Sequence, residues 1–329
     1  MFFLETLFVL DLKPYSSITT EMQEIYQKTL SKKAVFKGVG LHSGCISTIN
    51  VLPAKENEGI LFKRVDLKKN NLIKANFNNV TSAKLCTTLE NNFGVKVSTV
   101  EHLLAAFYII GIDNALVEID NEEVPIMDGS SKDFLNTFKK IDLVKQSKKR
   151  KYLNIKNKIE LVDGKRKISI KPNDSTFKVN FQLNYKNKII GDQKNSINFQ
   201  KDDLNDVYNS RTFCLFEDIE KIKKFGLAKG GSLDNAVVVD HDKILNKDGL
   251  RNDKEFVNHK ILDLAGDFLL SEYRVIGRVE CSQGGHQLTN SFLRKLLKSN
   301  SAIICTEVNE LVITKNTNSN QSVKLAVNA

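Results

Sequence analysis

Cysteine is scarce in this chain of 329 residues, and its spacing excludes two classes of site. The cysteines are odd in number, no two are close together, and no CxxC pair occurs; they are Cys45, Cys86, Cys214, Cys281 and Cys305. This pattern argues against a disulfide framework and against a zinc site built from thiolates. It fits the reducing cytoplasm, so we expect a cytoplasmic protein.

The sequence also lacks a hydrophobic run long enough to cross a bilayer. The apolar opening, Met1 to Leu10, contains Glu5 and no leading basic residues, so it is a poor signal peptide. At most a transient contact with the inner membrane surface is expected.

Acidic residues are outnumbered: 49 Lys and Arg stand against 39 Asp and Glu, a formal net charge of +10. A basic balance favours acidic partners such as phosphates, nucleic acid or anionic lipid. The one dense basic run, Lys145 to Lys151, lacks the interleaved aromatic residues of a nucleic-acid platform and is interpreted as a solvated linker. No nucleic-acid partner is therefore expected.

Two common nucleotide motifs are missing. The segment from Gly226 to Ala236 is glycine-rich, but it matches neither GxxxxGK[ST] nor GxGxxG. Nucleotide hydrolysis and dinucleotide binding are therefore disfavoured.

The residues that are present indicate an ordinary globular protein, with 41% hydrophobic and 27% charged residues. Each half of the chain predicts several short strands and two helices, which indicates two similar α+β layers. The predicted units are an N-terminal extension that is disordered or not native (1–24), a first α+β domain (25–146), a second α+β domain (147–312) and a flexible tail (313–329).

One pair of residues has the spacing of metal ligands. His259 and Asp263 are four apart on a predicted helix, so their side chains share one face, and Asp267 lies one turn further on. An imidazole and a carboxylate placed in this way can bind one Zn²⁺. The spacing alone favours an ordinary surface pair. However, the neighbouring residues are strongly apolar, and polar groups in a buried helix need partners, which raises the metal interpretation.

A second predicted helix begins with Glu101 and His102. Adjacent helical positions point about 100° apart, so His102 could bind a metal while Glu101 reaches a water on that metal. A capping box between Ser98 and Glu101 competes for the same carboxylate.

The three remaining histidines lie in turn-like contexts. His286 follows two glycines, where the backbone can approach a ligand closely, although it could equally be a buried histidine satisfied by a carboxylate. His42 and His241 are interpreted as structural or surface residues.

Taken together, several segments resemble the UDP-3-O-acyl-N-acetylglucosamine deacetylase family, the zinc enzymes of lipid A synthesis. They are GVGLHSG, LCTTL, STVEHLLAA, IDN, EVPIMDGS, SRTF, GLAKGGSLDNAVVVD, the DGLRND–EFVNHKILDLAGD block and GGHQLTN. The resemblance covers roughly residues 28 to 305, in the order and approximate spacing of the family. It implies an α+β fold of two similar domains, each a small β-sheet packed with two α-helices, with the active site between the domains.

The resemblance also implies the reaction: zinc-dependent hydrolysis of the N-acetyl group of UDP-3-O-(3-hydroxyacyl)-N-acetylglucosamine, which gives acetate and the free amine in the committed step of lipid A biosynthesis. It implies that His102, His259 and Asp263 bind the Zn²⁺. Three protein ligands leave a fourth position for water, as a catalytic zinc requires.

Five further residues receive implied catalytic roles. Glu101 takes a proton from the attacking water, and Thr212 and a protonated His286 hold the oxyanion. Asp267 pairs with His286 and keeps it charged. Lys260 lies near the substrate. The proton for the leaving amine could come from His286 or from Glu101.

The family substrate carries a fatty acyl chain, and an apolar passage in the second domain is implied for it. Substrate contacts are implied for Phe213, Leu215, Ile219, Leu233 and Ala236, although core packing would explain several of these residues equally well. Gln283 stands where some relatives have a lysine that can meet the nucleotide phosphates, and it is assigned to substrate binding.

Two alternatives stay open: a zinc hydrolase of the same fold that acts on another N-acyl sugar, and a non-catalytic basic binding protein. The second would leave the His, Asp and Glu set without a purpose. A monomer is expected. The resemblance begins near Gln27, so either Met22 is the true start of the protein or residues 1–21 are a peripheral membrane anchor. We expect the first, because an anchor should show a basic face and Lys13 is the only basic residue before Met22.

Overall fold

The computed structural model describes residues 25–305. The predicted extension (1–24) and the predicted tail (313–329) lie outside these residues. Strands and helices interleave along the described chain, and the predicted α+β class is confirmed. Within residues 25–305, no helix is long and apolar enough to cross a membrane.

The first half of the chain is built on a mixed sheet. The strands of this half of the chain are β1 (Tyr26–Leu30), β2 (Ala34–Val39), β3 (Ile46–Pro53), β4 (Ile60–Arg64), β5 (Leu72–Lys74), β6 (Val80–Ser82), β7 (Thr88–Glu90), β8 (Lys96–Val97) and β9 (Ala115–Ile119). Five of them form a sheet in the order β2-β3-β9-β4-β5, with β4 and β9 parallel and the other pairs antiparallel. Strands β6, β7 and β8 form a separate antiparallel sheet.

Two helices follow the apolar periodicity of this half: α1 (Glu101–Ile110) and α2 (Lys132–Phe138). α1 ends at Gly111, whose φ of 91° suits a glycine at a helix C-terminus. The capping box of Ser98 and Glu101 does not form, because the N-cap position of α1 is Val100, which makes no side-chain capping bond.

The second half contains more strands and four helices within the described residues. The strands are β10 (Leu143–Lys149), β11 (Tyr152–Ile155), β12 (Ile159–Asp163), β13 (Arg166–Lys171), β14 (Phe177–Asn184), β15 (Asp192–Asn198), β16 (Phe213–Leu215), β17 (Val237–Asp240), β18 (Lys243–Ile244), β19 (Arg274–Ser282) and β20 (Ala302–Cys305). The helices are α3 (Asn205–Asn209), α4 (Phe216–Lys224), α5 (Glu255–Leu269) and α6 (His286–Leu297). β19 is central to a seven-stranded sheet, and β16, β17 and β18 form a small separate one.

The basic segment interpreted as a linker is a strand. β10 pairs antiparallel with β1 and runs across the predicted domain boundary at residue 146. Most of its side chains are exposed, so the sequence has no apolar alternation that would reveal a strand. The two domain ranges stay predictions.

Helices α1 and α5 pack closely against each other. Every residue of α5 except Lys260 is buried, as its apolar neighbours indicated. At Gly266 a Cβ atom would overlap the carbonyl oxygen of Glu101 and lie 3.0 Å from the amide nitrogen of Ala105. Glycine therefore allows the α5 backbone to approach the first turns of α1, which brings the polar residues of both helices together.

Candidate active site

Three potential metal ligands converge where α1 meets α5. The Nε2 atoms of His102 and His259 lie 3.5 Å and 3.4 Å from the Oδ1 atom of Asp263. One ligand atom from each of these residues lies within 4.8 Å of the others, and all three residues are buried. The structure thus brings together the three residues that the sequence analysis assigned to zinc.

The chemistry of this cluster fits a metal. Asp263 Oδ1 is buried and has no hydrogen-bond partner among residues 25–305, which would be costly for a carboxylate without a cation. His259 Nδ1 faces the carbonyl oxygen of Ser210 at 3.1 Å, so the proton belongs on Nδ1 and the Nε2 lone pair points into the cluster. Two imidazole nitrogens and one carboxylate oxygen form a donor set of the kind that binds zinc.

Electrostatics favour the ligand forms of these residues. Burial lowers the pKa of His259 to about 3, although Asp263 opposes the shift, so the imidazole is neutral at pH 7. Burial opposes ionisation of Asp263, but His259, Lys260 and His286 hold the pKa of its carboxyl well below the usual range. Lys260 contributes directly, because its Nζ donates to Asp263 Oδ2 at 2.9 Å.

Glu101 lies beside the cluster and is buried. Its Oε1 atom is 3.5 Å from His286 Nε2, and its Oε2 accepts a hydrogen bond from the backbone of Thr87 at 3.0 Å. Burial raises the pKa of Glu101, and Asp263 and Asp267 add to the rise while the neighbouring histidines oppose it. A raised pKa suits a carboxylate that must accept and release a proton.

His286 begins α6 and contacts three carboxylates. Its Nδ1 lies 2.8 Å from Asp267 Oδ2, and its Nε2 faces Glu101 and, at 3.8 Å, Asp263 Oδ2. Burial of the ring opposes protonation, but Asp267, Glu101 and Asp263 outweigh it and raise the pKa of His286 to about 10. The imidazole is therefore charged at neutral pH.

A buried ion pair holds the segment before β16 against α5. Glu255 is fully buried and accepts from the backbone nitrogen of Arg211 at 3.0 Å and from its Nε at 2.7 Å. Backbone hydrogen bonds fix Thr212: its amide nitrogen donates to the carbonyl oxygen of Gly129, and its carbonyl oxygen accepts from the amide nitrogen of Val237. This anchoring places the Ser210 carbonyl beside His259 and Thr212 two residues further on.

An apolar cavity of about 520 Å³ opens next to Thr212 and Phe213. The ring centroid of Phe213 is 6.3 Å from that of His259, so this side chain borders both the cavity and the cluster. Four of the predicted substrate contacts line the cavity: Phe213, Ile219, Leu233 and Ala236. α4 supplies one wall of the cavity, and none of its residues is buried.

Two predicted substrate contacts lie elsewhere. Leu215 packs against the main core and does not line the cavity. The side-chain amide of Gln283 is paired with the backbone of Asn184: its Oε1 accepts from the amide nitrogen at 2.7 Å and its Nε2 donates to the carbonyl oxygen. Gln283 therefore bridges two strand ends in this structure, and a phosphate contact from it stays a prediction.

Sequence reasoning misses other residues of the site. The turn-like context of His42 indicates a structural or surface residue, but it lines the cavity, and its Nε2 is buried without a partner among the described residues. Leu85 reaches the same cavity from the first half of the chain, and Thr87 contacts Glu101. Their segments, GVGLHSG and LCTTL, belong to the family resemblance, which could have drawn attention to them. They carry no periodic or spacing signal, because the contacts form only across the fold.

These features, a metal donor set with a buried carboxylate and a charged histidine beside it, define the class of metal-dependent hydrolases. The family model described as UDP-3-O-acyl N-acetylglycosamine deacetylase matches residues 27–298. The chain belongs to this family of deacetylases.

Individual relatives agree with the family match. UDP-3-O-acyl-N-acetylglucosamine deacetylase of Geobacter sp. (strain M21) is 42% identical over 275 residues, which cover 83% of this chain and 90% of the relative. The protein of the same name from Idiomarina loihiensis is 41% identical over 281 residues, 84% of this chain and 92% of the relative. The corresponding protein of Geotalea uraniireducens is 40% identical over 273 residues, 83% of this chain and 88% of the relative.

Proposed function

We propose that this protein hydrolyses the N-acetyl group of a UDP-3-O-acyl-N-acetylglucosamine, releasing acetate and the free amine for lipid A biosynthesis. The observation that carries the proposal is the convergence of three metal-donor atoms within 4.8 Å of one another, beside the buried pair of Glu101 and His286. The names of the relatives support the acylated UDP-sugar as the substrate.

Zn²⁺ is the proposed metal, held by His102 Nε2, His259 Nε2 and Asp263 Oδ1. When bound there, it would supply Lewis acidity, which polarises an amide carbonyl and lowers the pKa of water. The burial of all three residues keeps bulk water from competing with these donors.

Glu101 is the proposed general base. Its Oε2 is occupied by Thr87, while Oε1 faces the site and can accept a proton from the water that attacks the acetyl carbonyl. The attack forms a carbon–oxygen bond and places negative charge on the former carbonyl oxygen.

His286 and Thr212 would meet that charge. His286 is protonated at neutral pH and directs Nε2 toward Glu101, so it can donate to the oxyanion. Thr212 lies on a backbone fixed at both its nitrogen and its carbonyl oxygen, and it lines the adjoining cavity. Cleavage of the carbon–nitrogen bond then requires a proton at the amine, which His286 or the protonated Glu101 can supply.

The apolar cavity is the proposed site for the fatty acyl chain. Phe213, Ile219, Leu233 and Ala236 would contact the chain. Lys260, whose Nζ lies 5.4 Å from the ring centroid of Phe213, would meet a polar part of the substrate. We also propose that the protein acts as a monomer in the cytoplasm, with at most transient membrane contact. The odd, scattered cysteines support the cytoplasmic location.

The direct test measures acetate release and metal content together. Purified protein should contain zinc in a 1:1 ratio by elemental analysis and release acetate from UDP-3-O-acyl-N-acetylglucosamine faster than from UDP-N-acetylglucosamine. Preference for another N-acyl sugar would move the function to a related hydrolase. Absence of both stoichiometric zinc and acetate release would favour a non-catalytic basic protein.

A further inference from the structure

Thr87 lies just before β7, is 1% exposed, and makes hydrogen bonds to two of the three carboxylates that face His286. Its backbone nitrogen donates to Glu101 Oε2 at 3.0 Å, and its hydroxyl donates to Asp267 Oδ1 at 2.7 Å. The second bond joins residues 180 positions apart in the chain. A single small side chain therefore links the β6–β8 sheet to α5.

In each of these two carboxylates, one oxygen accepts from Thr87 and the other faces His286. Thr87 holds Asp267 Oδ1, so the other oxygen, Oδ2, is the one that accepts from His286 Nδ1 at 2.8 Å. It likewise holds Glu101 Oε2, which leaves Oε1 facing His286 Nε2. Terminal carboxylate torsions are broad and have little intrinsic preference, so a donor on one oxygen is what sets the direction of the other.

The Thr87 backbone is itself anchored. Its carbonyl oxygen accepts from the amide nitrogen of Val100, the residue before α1, at 3.4 Å. The hydroxyl is therefore presented to Asp267 from a point tied to the helix that carries Glu101. A shift of Asp267 relative to this point would turn the imidazole of His286.

We propose that the hydroxyl of Thr87 is a positioning group for the Asp267–His286 pair, on a backbone anchored to Glu101. The inference rests on the proposed function for the role of the pair, but its geometry does not. Thr87 acts through Asp267, and within residues 25–305 it makes no hydrogen bond to any of the three proposed metal ligands.

Thr87→Val is the perturbation, because valine keeps the shape and the backbone N–H and removes the hydroxyl. Asp267 Oδ1 would lose its donor. Removing a hydrogen-bond partner that orients a functional side chain from behind typically lowers activity by about 10- to 100-fold. We expect kcat to fall by about that factor, with KM and zinc content within about threefold of wild type. Thr87→Ser keeps the hydroxyl and should restore kcat.

Thr88→Val is the matched control, since Thr88 is the next residue and the Cys86 sulfur, at 3.8 Å, is the one hydrogen-bond partner of its hydroxyl among the described residues. It should leave kcat unchanged. In a double-mutant cycle, adding Thr87→Val to Asp267→Ala should cause no further loss, because the hydroxyl then has no partner. Independent losses would overturn the inference, as would a Thr87→Val enzyme with wild-type kcat.

A second readout does not depend on the reaction. In protein labelled with ¹⁵N-histidine, Thr87→Val should shift the ring resonances of His286, whereas Thr88→Val should not. If wild-type protein releases no acetate, the proposed function fails, and the resonances alone decide the role of Thr87. Unchanged His286 resonances in Thr87→Val would refute the positioning role whatever the substrate is.

Discussion

Gly266→Ala should push apart the two helices that carry the proposed zinc ligands. A Cβ at this position would overlap the carbonyl oxygen of Glu101 and lie 3.0 Å from the amide nitrogen of Ala105. Both neighbours are backbone atoms of the buried helix α1, so neither can rotate away. Nonbonded carbon contacts are comfortable at roughly 3.5–4.0 Å, and the helices must therefore separate by on the order of 1 Å.

The separation acts on the metal cluster, because His102 lies on α1 while His259 and Asp263 lie on α5. Overpacking a buried contact costs about 1–3 kcal/mol, and alanine in place of glycine in a helix interior returns about 1 kcal/mol. We expect the free energy of unfolding to decrease by up to about 2 kcal/mol, the overpacking cost less the gain in helix propensity. A misplacement of about 1 Å in an active site can cost about 100-fold in rate, so kcat should fall by that order.

The assay combines urea unfolding of the metal-free protein, zinc retention against a chelator and acetate release. Gly285→Ala is the control for stability and zinc retention, since a Cβ there meets nothing within 4 Å and the backbone is extended, with φ at 177°. If Gly266→Ala instead stabilises the protein by about 1 kcal/mol, as helix propensity alone predicts, and keeps its zinc, the close approach of the helices is not a constraint.

Three other experiments test separate parts of the site. Asp263→Ala should abolish zinc binding and activity together, whereas Glu101→Gln should keep the zinc and lose about 100-fold or more in kcat; equal zinc loss in both would show that the roles are misassigned. The pH–rate profile should be bell-shaped. Activity should fall as the pH drops through the raised pKa of Glu101, which must be unprotonated, and fall again above about pH 10, where His286 loses its proton. A flat profile would contradict the assignment of Glu101 and His286 as base and acid. Arg211→Ala leaves Glu255 as an unpaired buried charge and should lower the free energy of unfolding by about 3–5 kcal/mol, which an unchanged urea midpoint would disprove.

The sequence by itself determined helices α1 and α5 and the placement of two of the three proposed metal ligands. The apolar periodicity of α1 and α5 is a property of residues close together in the chain, and so is the four-residue spacing that puts His259 and Asp263 on one helix face. The sequence predicts these features with the right element types, because the interactions that produce them are local. The α+β class follows from the same patterns.

The tertiary structure decided which of these residues meet. His102 joins the cluster because a glycine on α5 lets α1 approach, and no pattern near either residue records that contact. β10 is held by pairing with β1 more than a hundred residues away, so its polar sequence alone resembles a linker. Thr87 and His42 reach the site only through folding, since hydrogen bonds and cavity walls between distant segments depend on packing that local spacing does not encode.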